Sequence, residues 1–529
     1  MRRLTLLIAG LVFLGPSSAT DAAPPASVTV ATVEWIEQFD PGVLASGPGL
    51  NYKGSMFDSV IGGNPDGSLS KTSGVVDNWT VSADATQVTL RLRKGVRWHD
   101  GSEATAEDLA FTLTRFGADD GTASARPTAR KVAKVDVVDR YSLRVTLKEP
   151  DAVFVYGLSP FEGDLLFIKK DAYRKTEKGW ELADPERPIG TGPYRFARRK
   201  VGEFVEYDAF ADYWNGGRKA AFKTLRIVRI VDATTRLSAL RTGEVDVAPL
   251  NPEQLDGAKK AGLRIMGPKV AAVPLLLFLG SYDPAFLSHT VEFRKALLLG
   301  YDKKAIVNKI YPPAVATIAT GSAPFTPISL GWDPKLPAYA YNPQEAQRLL
   351  KAAGYDGKPV KIWSYPFGTA PELPLLLEAI AGYWQGIGIN VELTPIDFTA
   401  FRPRLFAQPQ PWEKRYAAHV GFLVPLPRPS ALNNFGTFMI SQKAGGVASG
   451  YWNLDKIDAL RSELGKIGDV KELDRRLRDV NRELYDEYWA DPIVYRHLPF
   501  GVSGKICGWT TNDGMDVPTL YAMLRPCSP

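Results

Sequence analysis

Cysteine and histidine are scarce in this sequence of 529 residues, which holds 2 cysteines and 4 histidines. The histidines are far apart along the chain, and none lies near a cysteine at a ligand-like spacing. Structural zinc sites draw on these residue types at short spacings. We therefore expect no metal and no cofactor, and the sequence gives nickel or haem binding no support. His99 is interpreted as a hydrogen-bonded hairpin residue rather than a ligand.

Long hydrophobic runs are absent as well. A bilayer span needs roughly 20 apolar residues, and the apolar run Leu4–Leu14 is too short. It follows Arg2-Arg3 and precedes small-residue cleavage sites near Ala19 and Ala23, which is typical of a secretory signal. We predict a signal peptide over residues 1–22 and a soluble, periplasmic mature chain. The alternative is an uncleaved, buried helix.

The sequence has no strong excess of charge of one sign. It contains 64 Lys and Arg against 58 Asp and Glu, a net charge of +6, and the basic residues are spread out rather than clustered. Nucleic-acid binding needs a clustered basic face, so we expect no nucleic-acid partner.

Catalytic motifs are missing too. We find no His-Glu-x-x-His and no Gly-x-Ser-x-Gly, the signatures of metalloproteases and serine hydrolases. In Gly190-Thr191-Gly192, the following Pro193 removes a backbone donor that a phosphate loop needs. We expect no enzyme activity. A secreted glycoside hydrolase stays open as an alternative, because its two carboxylates can come from anywhere in the chain.

The two cysteines, Cys507 and Cys527, both lie near the C-terminus. In an oxidising compartment they are predicted to form a disulfide that closes a loop of about 20 residues and contributes about 3 kcal/mol. No cysteine lies near the predicted cleavage sites, so no lipid anchor is expected.

Strands and helices alternate along the chain. Ser27–Thr32 predicts a strand, and Trp79–Trp98 predicts a hairpin because its apolar residues alternate. The Gly/Pro-rich turn at Pro188–Tyr194 is predicted to lead into a strand running toward Ala209. A helix begins after Asn342 and ends at Gly354. A strand over Val360–Tyr365, a helix over Pro371–Gly386 and a strand over Ile389–Ile396 then predict a βαβ unit. Together the pattern indicates an α/β fold.

Three blocks of sequence resemble the peptide/nickel class of bacterial extracellular solute-binding proteins, family 5. One of them contains the run Leu-Arg-Lys-Gly-Val-Arg-Trp-His-Asp-Gly. The blocks are Asn78–Ser82 with Leu92–Gly101 and Thr105–Leu109; Pro188–Tyr194 with Asp212–Gly216 and Thr242–Asp246; and Phe293–Leu297 with Tyr301–Ile306 and Ala346–Tyr355.

This resemblance implies a two-lobed periplasmic-binding-protein fold with mixed sheets and an extra inserted domain, closing over a solute by hinge motion. The implied function is the substrate-binding component of an ABC importer, which delivers a small molecule to a permease in the inner membrane. A solute-sensing receptor or chaperone of the same fold is a further alternative, and we expect a monomer. The implied domains are a first lobe over 27–56, 188–267 and 500–529, an inserted domain over 57–187, and a second lobe over 268–499.

Peptide-binding members of the family hold the peptide's α-amino group with an aspartate in the second lobe. Here the corresponding stretch, Gly421–Ser430, contains no acid. No Asp or Glu occurs from Lys414 to Leu454, whereas that segment holds four basic residues. A desolvated ammonium group without a counter-charge costs several kcal/mol. The sequence therefore favours a neutral polar or anionic solute over a free-amino peptide.

Aromatic and amide side chains are instead frequent in this region and at predicted strand ends. Aromatic platforms with amide donors suit sugars and other neutral polar solutes, and the basic residues suit a carboxylate or phosphate. The predicted solute-binding residues are Trp35, Trp363, Tyr365, Phe422, Asn433, Asn434, Tyr451, Trp452 and Asn453.

Overall fold

The structure is a computed structural model. It describes residues 27–43, 47–120, 126–162, 165–366, 370, 372–407, 411–424, 427–446, 448, 450–511 and 521–527. The predicted signal peptide, residues 1–22, lies outside the described residues.

The described residues contain strands and helices in mixed order. The strands are β1 (Ser27–Thr32), β2 (Gly62–Gly63), β3 (Leu69–Ser70), β4 (Val76–Val81), β5 (Gln87–Leu92), β6 (Val132–Asp139), β7 (Ser142–Leu147), β8 (Tyr173–Thr176), β9 (Gly179–Leu182), β10 (Tyr194–Lys200), β11 (Phe204–Ala209), β12 (Thr224–Arg229), β13 (Val247–Pro249), β14 (Arg264–Met266), β15 (Leu275–Leu279), β16 (Ala316–Ile318), β17 (Val360–Ser364), β18 (Val391–Pro395), β19 (Ala418–Leu423), β20 (Ala490–Pro492), β21 (Val494–Arg496), β22 (Phe500–Val502), β23 (Ile506–Trp509) and β24 (Leu524–Pro526). The α-helices are α1 (Gly47–Lys53), α2 (Ala106–Gly117), α3 (Arg126–Arg130), α4 (Ala233–Thr242), α5 (Leu255–Lys260), α6 (Val291–Leu299), α7 (Lys303–Ile310), α8 (Pro343–Ala352), α9 (Leu373–Gly386), α10 (Phe398–Phe406), α11 (Ala431–Phe438), α12 (Leu454–Gly465) and α13 (Val470–Asp486).

A seven-stranded sheet draws its strands from three separate parts of the chain. Its order is β10-β11-β12-β1-β13-β22-β14. The central strand β1 runs parallel to β12 and β13, whereas the outer pairs are antiparallel. The predicted strand toward Ala209 is wrong in one respect: the chain turns back after β10 and returns as β11, because residues 201–203 form a tight turn that includes Gly202 at φ 78°.

A five-stranded sheet of order β18-β17-β19-β15-β20 forms the core of the later part of the chain. The strands β17 and β18 are parallel and are joined by helix α9, so the predicted βαβ unit is confirmed. Every residue of β15, β17 and β19 is buried. Such strands are covered on both faces, which explains their nearly continuous apolar sequence.

A third, four-stranded antiparallel sheet of order β4-β5-β7-β6 lies earlier in the chain. Its β4–β5 pair is the predicted hairpin, with Val88, Leu90 and Leu92 buried on one face. Helix α2 follows, and Asp108 accepts a hydrogen bond from the backbone N–H of Thr105 at 2.9 Å. This contact closes the first turn of the helix.

Two crossover segments connect the seven-stranded sheet to the five-stranded sheet. They run side by side, with Leu498 N–H donating to Pro268 O at 3.0 Å and Ala271 N–H to Arg496 O at 2.8 Å. Gly267 begins the first crossover at φ 137°, where a Cβ atom would stand 2.1 Å from the carbonyl oxygen of Leu498. Only glycine fits this close approach.

His99 stabilises the turn at Gly190–Gly192 through two hydrogen bonds. Its Nδ1 accepts from Gly190 N–H at 3.2 Å, and its Nε2 donates to Gly192 O at 3.0 Å. Burial lowers the pKa of His99 to about 4, which favours the neutral ring that these two contacts require.

The predicted disulfide between Cys507 and Cys527 is present, with Cα atoms 4.6 Å apart. It links β23 to β24, the last strand pair of the chain. No helix in the described part of the chain is long and apolar enough to cross a membrane. Within the same residues, no three His, Cys, Asp or Glu side chains come together as metal ligands.

Candidate solute-binding site

The carboxyl ends of parallel strands bring aromatic residues to one edge of the five-stranded sheet. Tyr365 directly follows β17, and Phe398 begins α10 just after β18, the strand parallel to it. In open α/β sheets, ligands bind in the crevice outside these strand ends. The edge formed by β17, β18 and β19 is therefore the candidate solute site of this part of the chain.

Tyr365 anchors an aromatic cluster at this edge. Its ring centroid lies 5.2 Å from that of Phe398 and 5.1 Å from that of Phe401. The hydroxyl of Tyr365 donates to the carbonyl of Phe422, the next strand over. Burial raises the pKa of Tyr365 above its usual range, so the hydroxyl stays a donor. The cluster is a rigid apolar wall.

Trp363 lies on the same face of β17, two residues before Tyr365. It is 6% exposed, and among the residues that the structure describes its indole N–H has no hydrogen-bond partner. Two cations lie over its ring, with Lys361 Nζ 5.1 Å and the Arg404 guanidinium carbon 4.9 Å from the ring centroid. A buried donor left without a partner costs about 1–3 kcal/mol, so an acceptor on a ligand would stabilise this N–H.

Trp35 lies three residues past the carboxyl end of β1 in the seven-stranded sheet, whereas Trp363 lies within β17. The ring of Trp35 meets that of Tyr52 edge to face, with centroids 5.7 Å apart. In the described part of the chain the indole N–H of Trp35 also lacks a partner. Each of the two large sheets thus carries one strand-end tryptophan with an unused donor.

The remaining predicted residues have protein partners. Phe422 is fully buried in β19, and Asn434 is 3% exposed in α11. Tyr451 and Trp452 both donate to the carboxylate of Glu487, the latter at 3.0 Å. Asn453 caps α12 by accepting from Lys456 N–H at 3.1 Å. Their assignment to a solute stays a prediction.

Asn433 belongs to a polar cluster centred on Glu162. The Glu162 carboxylate accepts from Asn433 Nδ2 at 2.8 Å, from Ser430 N–H at 2.9 Å and from Arg428 at 3.0 Å. The Glu162 side chain is fully buried, and that of Arg428 is 31% exposed. An acid from the predicted inserted domain thus reaches the segment that has no acid of its own.

Sequence reasoning missed Glu162, Phe398 and Arg404. Phe398 could have been found from its position just after a predicted strand, by the argument that selected Tyr365. Glu162 carried no signal, because its partners lie more than 260 residues further along the chain.

The sheets, their crossovers and the strand-end sites define a two-lobed, mixed α/β binding protein of the periplasmic type. A profile of the family described as "Bacterial extracellular solute-binding proteins, family 5 Middle" matches residues 72–422. The chain belongs to this family, as its motifs predict.

Known proteins support this assignment over most of the chain. Heme-binding protein A of Haemophilus influenzae is 27% identical over 393 residues, which cover 69% of this chain and 69% of that protein. Di/tripeptide-binding protein 2 of Pseudomonas aeruginosa is 28% identical over 392 residues, or 70% of this chain and 69% of that one. The crystal structure of the ABC transporter substrate-binding protein CtaP from Listeria monocytogenes superposes with a TM-score of 0.80 at 19% identity, covering 96% and 100%.

The chain is therefore the solute-binding component of an ABC importer and acts together with a permease. It is a binding protein rather than an enzyme, and the glycoside hydrolase alternative is set aside.

Proposed function

We propose that this chain, exported to the periplasm by its N-terminal signal, captures a solute that lacks a free ammonium group. The solute is neutral and polar, or anionic, and it is held between two lobes by the strand-end tryptophans, Trp35 and Trp363, and the wall built on Tyr365. The first lobe comprises 27–56, 188–267 and 500–529, with the inserted domain 57–187, and the second lobe comprises 268–499.

The observation that carries this proposal is that the carboxylate oxygens of Glu162 are already bonded within the protein. An ammonium group in a closed cleft needs a carboxylate, and the segment from Lys414 to Leu454 supplies none. Glu162 reaches this segment, but Arg428, Ser430 and Asn433 already occupy its oxygens. Its charge balances Arg428 and is not free for a ligand.

The unused groups at the strand ends are donors. The indole N–H groups of Trp35 and Trp363 can bond hydroxyl, carbonyl or carboxylate oxygens, and an ammonium group offers them no acceptor. Arg404 over the Trp363 ring also favours an anionic or acceptor-rich solute, whereas Lys361 is already paired with Glu392.

A peptide is the second candidate solute, because a relative that covers 70% of this chain is named a di/tripeptide-binding protein. The haem-binding relative matches almost as much of the chain. Haem carries carboxylates and no ammonium group, so the family resemblance is compatible with either solute class.

The solute biases an equilibrium between open and closed lobes, since a ligand shifts such a balance only by its preference for one state. The paired crossovers at Gly267–Ala272 and Arg496–Leu498 are the hinge. The closed form is the one that the permease recognises.

Native mass spectrometry of freshly purified protein, followed by a thermal-shift screen, tests the proposal. The panel holds free dipeptides, the same dipeptides with acetylated amino groups, oligosaccharides and organic anions. We expect stabilisation by members of the last three groups and none by free dipeptides. Stabilisation that requires a free amino group would overturn it.

A further inference from the structure

A cavity of about 750 Å³ lies between the inserted domain and the second lobe. The inserted domain lines it with Thr128, Lys131 and Glu149, and the second lobe lines it mainly with helices α11 and α12. Of the nine predicted solute-binding residues, Asn433 alone lines this cavity, which therefore lies apart from the aromatic wall around Tyr365.

Positive charge predominates on the cavity walls, with five cationic side chains and three carboxylates. Two of the cations are neutralised locally. Lys131 pairs with Asp151 at 2.6 Å, and Arg428 pairs with Glu162 at 3.0 Å. Within the described ranges, the lining cations without an ion-pair partner are Lys443, Arg461 and Lys466.

Arg461 is the most constrained of the three. It makes no hydrogen bond and no ion pair within the part of the chain that the structure describes. Burial lowers the pKa of its guanidinium, and Asp151 and Glu149 oppose this effect at longer range. At Gly465 a Cβ atom would come within 2.9 Å of Arg461 Nη1, so the guanidinium is packed against the wall. Arg461 is half-buried and lines the cavity, so an anion there can supply acceptors to its guanidinium N–H groups.

We propose that this cavity binds a small oligoanion, with two or more phosphate or carboxylate groups, through Arg461, Lys443 and Lys466. Phosphate and carboxylate groups each present a pair of oxygens that the planar guanidinium can bond in a bidentate way. Lys131 lines the opposite wall, across the proposed hinge, and its ammonium group can donate to the anion only when the lobes are closed. The anion therefore also favours the closed form and raises solute affinity by the factor by which solute raises anion affinity, a consequence that rests on the proposed function.

Isothermal titration calorimetry of the full-length mature protein without solute tests the site. Pyrophosphate and citrate are titrated separately at constant ionic strength, so that the two arms distinguish phosphate from carboxylate groups. We expect Arg461→Gln to weaken binding at least about tenfold and Lys443→Gln, at an exposed position that cannot disturb the core, to weaken it severalfold. Lys351→Gln, an exposed lysine on α8 remote from the cavity, is the matched control and leaves binding unchanged.

The proposed site would be overturned if neither anion gave a binding heat, or if Lys351→Gln weakened anion binding as much as Arg461→Gln. Small-angle scattering separates the second claim from the first. Compaction of the protein on adding the anion supports the coupling to closure, whereas anion binding at unchanged radius of gyration overturns the coupling alone. Neither readout depends on which solute occupies the strand-end site.

Discussion

The carboxylate of Glu162 and the guanidinium of Arg428 form an ion pair at 3.0 Å that joins residues 266 positions apart in the chain. The carboxylate is fully buried and receives two further hydrogen bonds from the same segment, at Ser430 and Asn433. This pair holds the segment 428–433 against Glu162, and it occupies the oxygens of a buried acid that reaches the acid-free stretch.

Removing the negative charge of Glu162 should weaken its contact with the segment 428–433. We expect Glu162→Gln to lower the free energy of unfolding by about 1–3 kcal/mol, because the amide loses the charge-assisted bond to Arg428 and turns a donor toward other donors. Urea denaturation measures the change. Glu181→Gln, at a half-exposed ion pair in the same predicted domain, is the control, and it should cost less than about 0.5 kcal/mol. Equal stability of the two variants would contradict the assignment.

A second buried ion pair joins the start of α7 to β20. Lys303 Nζ lies 2.5 Å from Asp491, and the hydroxyl of Tyr301 donates to the same carboxylate. Asp491→Ala leaves a buried ammonium group uncompensated, so we expect unfolding to become easier by about 3–5 kcal/mol. The double variant Lys303→Met with Asp491→Leu removes both charges and should recover much of that loss. A double variant no more stable than Asp491→Ala would show that the charge is not the cause.

Two buried histidines make stability depend on pH. Burial lowers the pKa of His99 and of His419 from 6.5 to about 4. Between pH 4 and pH 6.5 the unfolded chain therefore binds more protons than the folded chain. The free energy of unfolding that is present above pH 6.5 is lost as the pH falls toward 4, by up to about 1.4 kcal/mol per pH unit for each ring. Urea denaturation at several pH values measures the slope. His99→Gln should reduce the slope by about half, and an unchanged slope would refute the role of that ring.

The indole N–H of Trp363 gives a direct test of the strand-end site. Trp363→Phe keeps a ring against Phe401 but removes the indole N–H together with the volume of the second ring. We expect solute affinity to fall about three- to tenfold, and the smaller buried side chain to lower stability as well. Trp79→Phe, on the outer strand β4 of the four-stranded sheet, is the matched control and should leave affinity unchanged. Calorimetry with the identified solute decides, and equal affinities of the two variants would remove Trp363 from the site.

Local patterns predicted much of the fold. Alternation at Val88, Leu90 and Leu92 located β5, and the Asn342-Pro343 start with the Gly354 end located α8, because strand faces and helix caps depend on residues close in sequence. The hairpin after Lys200 was missed, since a turn within an otherwise extended, polar segment leaves little periodic signal.

The candidate site was less predictable for a physical reason. Strand-end positions such as Tyr365 follow from the order of strands, but the partner of each polar side chain is set by long-range packing. No sequence pattern indicates that Trp452 bonds to Glu487 or that Glu162 pairs with Arg428. The sequence shows the acid-free stretch directly, whereas Glu162, which pairs with Arg428 in that stretch, lies 266 residues away in the chain.

The proposed hinge can be tested by a substitution at Gly267. A side chain there would meet the carbonyl oxygen of Leu498 at 2.1 Å, and the residue adopts φ 137°. We expect Gly267→Ala to push the two crossover segments apart, to destabilise the fold by about 1–3 kcal/mol and to change the radius of gyration with and without solute. Gly202→Ala also places alanine at a positive φ, 78°, but into open space, so it should cost less and leave the scattering curve unchanged. Both variants place alanine at a positive φ. A difference between their scattering curves therefore reports on the contact between the crossover segments. Identical curves would mean that these segments do not set the angle between the proposed lobes.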